Sequence, residues 1–201
     1  MLIVVIVVVL VVLVGLFAMI ALNRLRQQRV SVDEAFAGID VQLTRRAELI
    51  PNLVETVKGY AAHEKSTFEQ VTQARAASQS AQGIAEKAAA DGQMRQALAN
   101  LFAVAEQYPE LRASENFQQL QAELARTEDQ LAFARQYYND ACATLNQTMV
   151  TIPWSFFVGM SGVQKGEFYD APVGNEAAPV VSFDQPAAPV ASSAPPTGTQ
   201  Q

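Results

Sequence analysis

Between Ser31 and Arg75 the apolar residues return every seven positions. Phe36, Leu43, Ile50, Val57 and Val71 form one set, and Ile39, Leu53, Tyr60 and Ala74, each three residues later, form its companion. Steps of three and four keep both sets on one helical face, so the spacing predicts a packed seam. Three seam positions are polar: Arg46, Glu64 and Thr67. Such residues either reach water at the edge of an interface or fix register against a partner.

A second ladder runs through "ASENFQQLQAELARTEDQLAFARQYYNDACATLNQT". Phe117, Leu124, Leu131, Tyr138 and Leu145 recur every seven residues, with Leu120, Thr127, Ala134, Ala141 and Thr148 in the companion positions. Ser114 suits an N-cap and Pro153 ends the pattern. Between the ladders, Ile84 to Tyr108 is alanine-rich and turns Leu98, Leu101, Val104 and Ala105 toward a core, with Gly83 and Pro109 marking its two turns. No segment alternates at period two, so the fold class is all-α.

The pattern at the N-terminus is of another kind. "MLIVVIVVVLVVLVGLFAMIAL", residues 1–22, carries no ionisable side chain. As a helix it extends roughly 33 Å, enough to cross a hydrocarbon core. A cleaved signal peptide would place basic residues before the apolar run, whereas here "NRLRQQR" follows it. The run is therefore expected to be a permanent transmembrane helix, with Arg24, Arg26 and Arg29 holding the following chain on the cytoplasmic side and the N-terminus outside.

Helix lengths then suggest an arrangement. If the first helix turns near residue 80, a returning helix of about 25 residues reaches back about 38 Å. That places "RASENF" beside "IPNLVE". The third helix would then run outward again and carry "TIPWSFFVGMSG" far from the membrane. Pro51 lies in the first helical pattern, where it deletes the bond to the Ala47 carbonyl. One reading is a kink where a stalk enters the bundle; the other makes Pro51 the first residue of a new helix. On the kink reading, Phe36, Ile39 and Leu43 lack an intrachain partner, which predicts self-association through the stalk.

Composition narrows the functions. The 201-residue chain has a formal net charge of -6. A dedicated nucleic-acid binder needs a basic face, so no nucleic-acid partner is expected. The single cysteine, Cys142, forbids an internal disulfide. His63-Glu64 lacks the second histidine of a zinc protease motif, since Thr67 stands there, and His63 reads as a solvated helix residue. Gly159, Gly162 and Gly166 in "GMSGVQKGEF" lack a phosphate-loop ending, so the stretch reads as a loop or turn. No catalytic residue, metal site or cofactor is expected. Trp154, Phe156 and Phe157 in "PWSFFVGM" are read as a helical cap, a docking surface or a membrane-inserted element, in that order. From residue 169 the chain is rich in proline, alanine and serine, too poor in periodic apolar residues to offset the entropy of ordering.

The stretch "GIDVQLTRRAELIPNLVETVKGYAAHEKSTFEQVTQARA" and the later "YPELRASENFQQLQAELARTEDQLAFARQYYN" resemble the LemA family of bacterial membrane proteins, from about Asn23 to about Asp170. The resemblance implies an antiparallel helical bundle on one N-terminal span, with most of the chain cytoplasmic. The valine-rich anchor and the extension beyond Val180 depart from that pattern. The expected organisation is a transmembrane helix, 1–22; a helical bundle of three long helices and a short C-terminal one, 23–168; and a disordered tail, 169–201. The expected role is a self-associating, non-catalytic scaffold or adaptor in the bacterial inner membrane. It would touch lipid through residues 1–22 and form a homo-oligomer, with a further membrane protein as a possible partner. The second reading is a regulatory subunit of another membrane machine, such as a protease.

Overall fold

The first helix, α1 (Leu2–Lys58), is 57 residues long. At 1.5 Å per residue it extends about 85 Å. Its side chains from Leu2 to Leu16 face outward, whereas Ala21, Leu25, Val32, Ala35, Ile39 and Leu43 begin a buried stripe that continues to Val57. One helix thus carries a membrane-length apolar run and a bundle helix without a break. The computed structural model of the chain describes residues 1–169. The disordered tail expected from residue 169 falls outside them except for Tyr169, which is buried.

Four helices build the bundle. After a turn at residues 59–64 come α2 (Lys65–Ser80) and α3 (Gly83–Ala105), then a short α4 (Pro109–Ala113) and the long α5 (Glu115–Val150). A single 3-10 turn (Trp154–Phe157) and α6 (Val158–Ser161) follow. Ser114 stands at the N-cap of α5, although its hydroxyl makes no capping bond.

Side-chain contacts give the directions. Gln28 Nε2 donates to Thr148 Oγ1 at 3.0 Å, and Arg45 Nη1 to Gln130 Oε1 at 3.3 Å, so α5 runs antiparallel to α1. The Lys58 ammonium lies over the Phe68 ring, and Arg75 reaches Ala47, so α2 also returns along α1. Lys87 pairs with Asp40 and Asp91 with Arg46, so α3 runs parallel to α1. The order is up, down, up, down.

This corrects the expected arrangement at three points. The first ladder is two antiparallel helices, because the chain turns at residues 59–64, where Tyr60 and His63 stand exposed. The alanine-rich helix leads away from the apolar run, and α5 leads back toward it. The third helix therefore brings "TIPWSFFVGMSG" to the apolar end of α1, not to the far end. The juxtaposition of "RASENF" with "IPNLVE" holds, since Asn116 and Asn52 border one groove.

The helix α1 continues through Pro51 and does not restart there. The carbonyl that proline deprives, Ala47 O, accepts a hydrogen bond from Arg75 Nε of α2 at 2.9 Å. A buried acceptor without a donor is costly, so a side chain from the neighbouring helix replaces the missing N–H.

Two apolar clusters fill the bundle. The one remote from the apolar run gathers Ile50, Leu53 and Val57 of α1 with Phe68 and Val71, Met94 and Leu101, and Phe117 and Leu124. The nearer one joins Leu25, Ile39 and Leu43 to Leu131, Tyr138 and Leu145 of α5. Phe36, Ile39 and Leu43 therefore do have an intrachain partner. Ile39 is fully buried, Leu43 nearly so, and the Phe36 ring lies 5.9 Å from that of Tyr138. The premise for pairing two chains through these residues is overturned by the return of α5.

Candidate functional site: an aromatic collar, a strap and a buried ion layer

Where α5 ends, the chain folds against α1 at the boundary of the apolar run. The Trp154 ring stacks on Phe17 with 5.6 Å between centroids, and Phe157 meets the same ring edge-on at 5.8 Å. The Arg24 guanidinium lies 5.0 Å from the Trp154 ring centre. A cation so close to an indole is attracted by its quadrupole. Of the three aromatics singled out in the sequence, Trp154 and Phe157 are thus half-buried against α1, and Phe156 projects outward.

Past this collar, Gly162 takes the left-handed conformation (φ +70°), which ends α6 and redirects the chain. Residues 163–169 then lie along α5 as a strap. Asn146 Nδ2 donates to Gly166 O at 2.9 Å, and Gly166 N donates back to Asn146 Oδ1 at 2.9 Å. Asn139 makes the same exchange with Tyr169, at 3.2 Å and 2.8 Å. The spacings match: two helical turns from Asn139 to Asn146 cover about 10.5 Å, and three residues of extended chain cover about 10 Å. Each asparagine thus supplies the donor and acceptor that a neighbouring strand would offer. Gly166 is required by proximity, since a Cβ there would stand 2.8 Å from Cys142 Sγ.

Beneath the strap, Tyr138 Oη donates to Glu167 O at 2.6 Å. Burial pushes both the Tyr138 phenol and the Cys142 thiol up from their ordinary values. Both groups are protonated more readily when folded than when unfolded. Their contribution is complete below the unfolded-state values and is lost as pH climbs through the folded ones, so the weakness lies on the alkaline side. Replacing Asn139 and Asn146 together by alanine removes four strap hydrogen bonds, each worth roughly 1 kcal/mol net. Alkylation of the fully buried Cys142 by iodoacetamide is then expected to accelerate by at least on the order of tenfold. An unchanged rate would show that the strap does not cover the thiol.

Between the two apolar clusters lies a charged layer. Arg46 of α1, a seam residue able to reach an edge or fix register, is 1 % exposed and so reaches no edge. Its Nη2 meets Asp91 Oδ1 at 2.5 Å and its Nη1 meets Glu128 Oε2 at 2.9 Å. Asp91 of α3, fully buried, also pairs with Arg135 of α5, whose guanidinium lies 5.5 Å from the Tyr169 ring centre. Tyr169 Oη stands 3.4 Å from the second Asp91 oxygen. Three helices and the strap thus converge on one carboxylate. Arg46 and the largely buried Arg135 balance Asp91 and Glu128 within the layer, and the half-exposed Arg95 approaches Asp91 at 3.9 Å from its edge. Asp91 escaped the sequence reading because it sits in an alanine-rich stretch with no ladder; its one signal was an acid on a helix whose neighbours are small.

The layer opens through Glu128, 40 % exposed, onto a groove of about 360 Å³ bordered by Arg95, Leu98, Phe102 and Leu124. Among the described residues no three His, Cys, Asp or Glu side chains are grouped to hold a metal. The arrangement is suited to fixing helices relative to one another. Glu64 and Thr67, the other polar seam positions, fall at the start of α2, where Thr67 is buried.

A membrane-length apolar helix continuing into an antiparallel bundle, closed by a strap and a collar at the apolar end, defines a membrane-associated helical-bundle protein. The LemA family profile matches residues 35–183, and the chain belongs to that family. Magnetosome protein MamQ of Magnetospirillum gryphiswaldense is 28 % identical over 166 residues, covering 69 % of this chain and 61 % of that protein. Magnetosome protein MamQ 2 of Paramagnetospirillum magneticum is 27 % identical with the same coverage, 69 % and 61 %. The chain therefore spans about three-fifths (61 %) of the length of these curated relatives.

Proposed function

We propose that the protein is a membrane-anchored, non-catalytic scaffold or adaptor of the bacterial inner membrane that self-associates. Its N-terminus lies outside and its bundle in the cytoplasm, as the arginines at 24, 26 and 29 favour. The observation that carries the reading is the continuity of α1: one helix holds the lipid-facing run and the core of the bundle, so the bundle stands at a fixed distance from the bilayer.

With the seam residues occupied inside the chain, copies would meet through a different face. Val41, Phe133 and Tyr137 project outward and are 61 %, 75 % and 57 % exposed. Beside them, Gly38, Gln42, Phe133 and Tyr137 border a groove between α1 and α5, and Gln42 Oε1 is buried with no hydrogen-bond partner among the described residues. Exposed aromatic side chains beside an unpaired acceptor, with Glu34 and Asp129 also on the rim, are what a second helix bearing a donor would complete. The mass of the detergent-solubilised protein, purified from its native membrane, tests this. A homo-oligomer is expected. A single copy in fixed stoichiometry with a foreign membrane protein would favour the regulatory-subunit reading instead.

A further inference from the structure

The collar is more than a lid on the bundle. We propose that residues 150–160 are a second membrane-contacting element, a re-entrant cap lying in the headgroup and upper acyl region of the leaflet from which α1 emerges. The inference rests on the reading of α1 as a membrane anchor and adds a second point of attachment.

Position comes first. Phe17 lies five residues inside the end of the apolar run at Leu22, about 7–8 Å along the helix axis. Trp154 and Phe157 pack directly on it. Arg24, two residues beyond the run, covers Trp154. The cap therefore occupies the levels from the last turns of the apolar segment to the first cations past it. Tryptophan is enriched at that depth, where an amphipathic ring meets hydrocarbon on one side and headgroups on the other.

Composition agrees with position. From Ala141 to Gln164 the chain holds no Asp, Glu, Lys, Arg or His, and Lys165 is the first charge after the cap. The helix α5 is densely charged through its first half and loses charge as it descends toward the apolar run. Four large apolar side chains of this stretch project outward: Val150 (64 %), Ile152 (72 %), Phe156 (74 %) and Met160 (67 %). Exposure of that kind in water is unfavourable and marks an interaction surface. Trp154 and Phe157 of the same stretch tie this surface to Phe17 of α1, which stands among the outward-facing Leu16 and Ile20. The occupant that covers those residues also covers the cap, and that occupant is lipid.

Two anchors have a consequence that one lacks. A lone helix leaves a bundle free to rotate about its axis and to tilt, whereas a cap fixed in the same leaflet sets the azimuth. The outward face bearing Phe133 and Tyr137 would then be presented in a set direction relative to the membrane plane.

The full-length chain reconstituted into phosphatidylcholine and phosphatidylglycerol vesicles provides the test, with flotation reporting whether it is embedded. Trp154 is the only tryptophan, so its native emission is a depth probe. Quenching by lipids brominated near the top of the acyl chain is expected to exceed quenching by aqueous acrylamide. Spin labels on Phe156→Cys and Met160→Cys, with the buried Cys142 left in place, are expected to be accessible to oxygen and shielded from an aqueous nickel complex. Tyr60→Cys is the control: Tyr60 is exposed at 43 % and stands just past the far end of α1, more than about 50 Å beyond the apolar run and away from the face bearing Phe133, so its label should show the reverse. A protein that floats with the vesicles while the labels at 156 and 160 behave like that at 60 overturns the cap and leaves the anchor standing. A protein that does not float overturns both.

Discussion

Replacing Asp91 by alanine is expected to cost the folded protein about 3–5 kcal/mol, because it strips two buried guanidinium groups of their shared counter-charge. Arg46 has only 2 % of its side chain exposed and Arg135 only 11 %, so neither recovers its hydration without the layer opening. Glu128 remains, but it touches one nitrogen of Arg46 at 2.9 Å and Arg135 at 3.6 Å and is partly solvated. Denaturant unfolding of the detergent-solubilised protein, followed by loss of helical circular dichroism, measures the loss. Arg95→Ala is the contrast. Arg95 lies 3.9 Å from the buried Asp91 with 47 % of its own side chain exposed, so it recovers hydration on losing the contact, and a long pair with one partner in solvent contributes about 0–1 kcal/mol. A third variant separates stability from register. Arg46→Met, Asp91→Leu and Arg135→Met together replace the charges with apolar groups of similar volume, and such replacements are often neutral or stabilising. If the triple variant is as stable as the parent while Asp91→Ala is not, the layer holds the helices in register and adds little to net stability. An Asp91→Ala protein as stable as the parent would mean that the carboxylate is not enclosed between the two arginines.

Such a layer explains which parts of the fold were legible in the sequence. Positions in the second ladder, from Phe117 to Thr148, are all buried or half-buried, because a single uninterrupted helix keeps its seven-residue phase from end to end. The apolar run was equally legible, since twenty-two consecutive residues without an ionisable side chain have few alternative meanings. The first ladder was correct in phase and misleading in topology. A heptad records which face is apolar, and two antiparallel helices that keep the same phase across a turn read like one long helix. The turn did leave a trace: Lys58 followed by Gly59 is a helix ending, with a cation in the last turn and a glycine after it. Missing that turn reversed the direction of every later helix and sent the aromatics to the wrong end of the bundle. Once α2 is folded back, the length argument that set the cap far from the membrane places it beside Phe17 instead.

The candidate site was less legible because its parts are tied together through space. Arg46 was visible as a polar residue in an apolar seam, but its two acids lie 45 and 82 residues away on different helices. Asn139 and Asn146 are seven residues apart, and nothing in that spacing announces a clamp for backbone. The strap becomes apparent only when the glycine that faces Cys142 is seen to leave no room for a side chain. Pro51 posed the clearest question in the sequence. Its answer, a guanidinium from Arg75 donating to the orphaned carbonyl of Ala47, comes from 28 residues beyond that carbonyl.

Ile39→Ala decides between the seam as first read and the seam as folded. Ile39 is fully buried in the cluster that joins α1 to Leu131 and Tyr138 of α5. Truncating an isoleucine at such a site removes its transfer free energy and leaves a cavity, for a loss of about 2–5 kcal/mol. The loss should not depend on protein concentration, and the mass of the detergent-solubilised protein should stay as it was, because the contact lies within one chain. Val41→Ala, two residues away on the outward face at 61 % exposure, should change stability by about 0.5 kcal/mol or less. If copies meet on that face, the effect of Val41→Ala should appear in the mass. The opposite pattern, with Ile39→Ala dissociating an oligomer and barely moving the unfolding transition, would put a second chain where α5 is described. A bundle closed on itself sends any partner to its outer surface, and the two substitutions separate those surfaces although they lie barely half a helical turn apart.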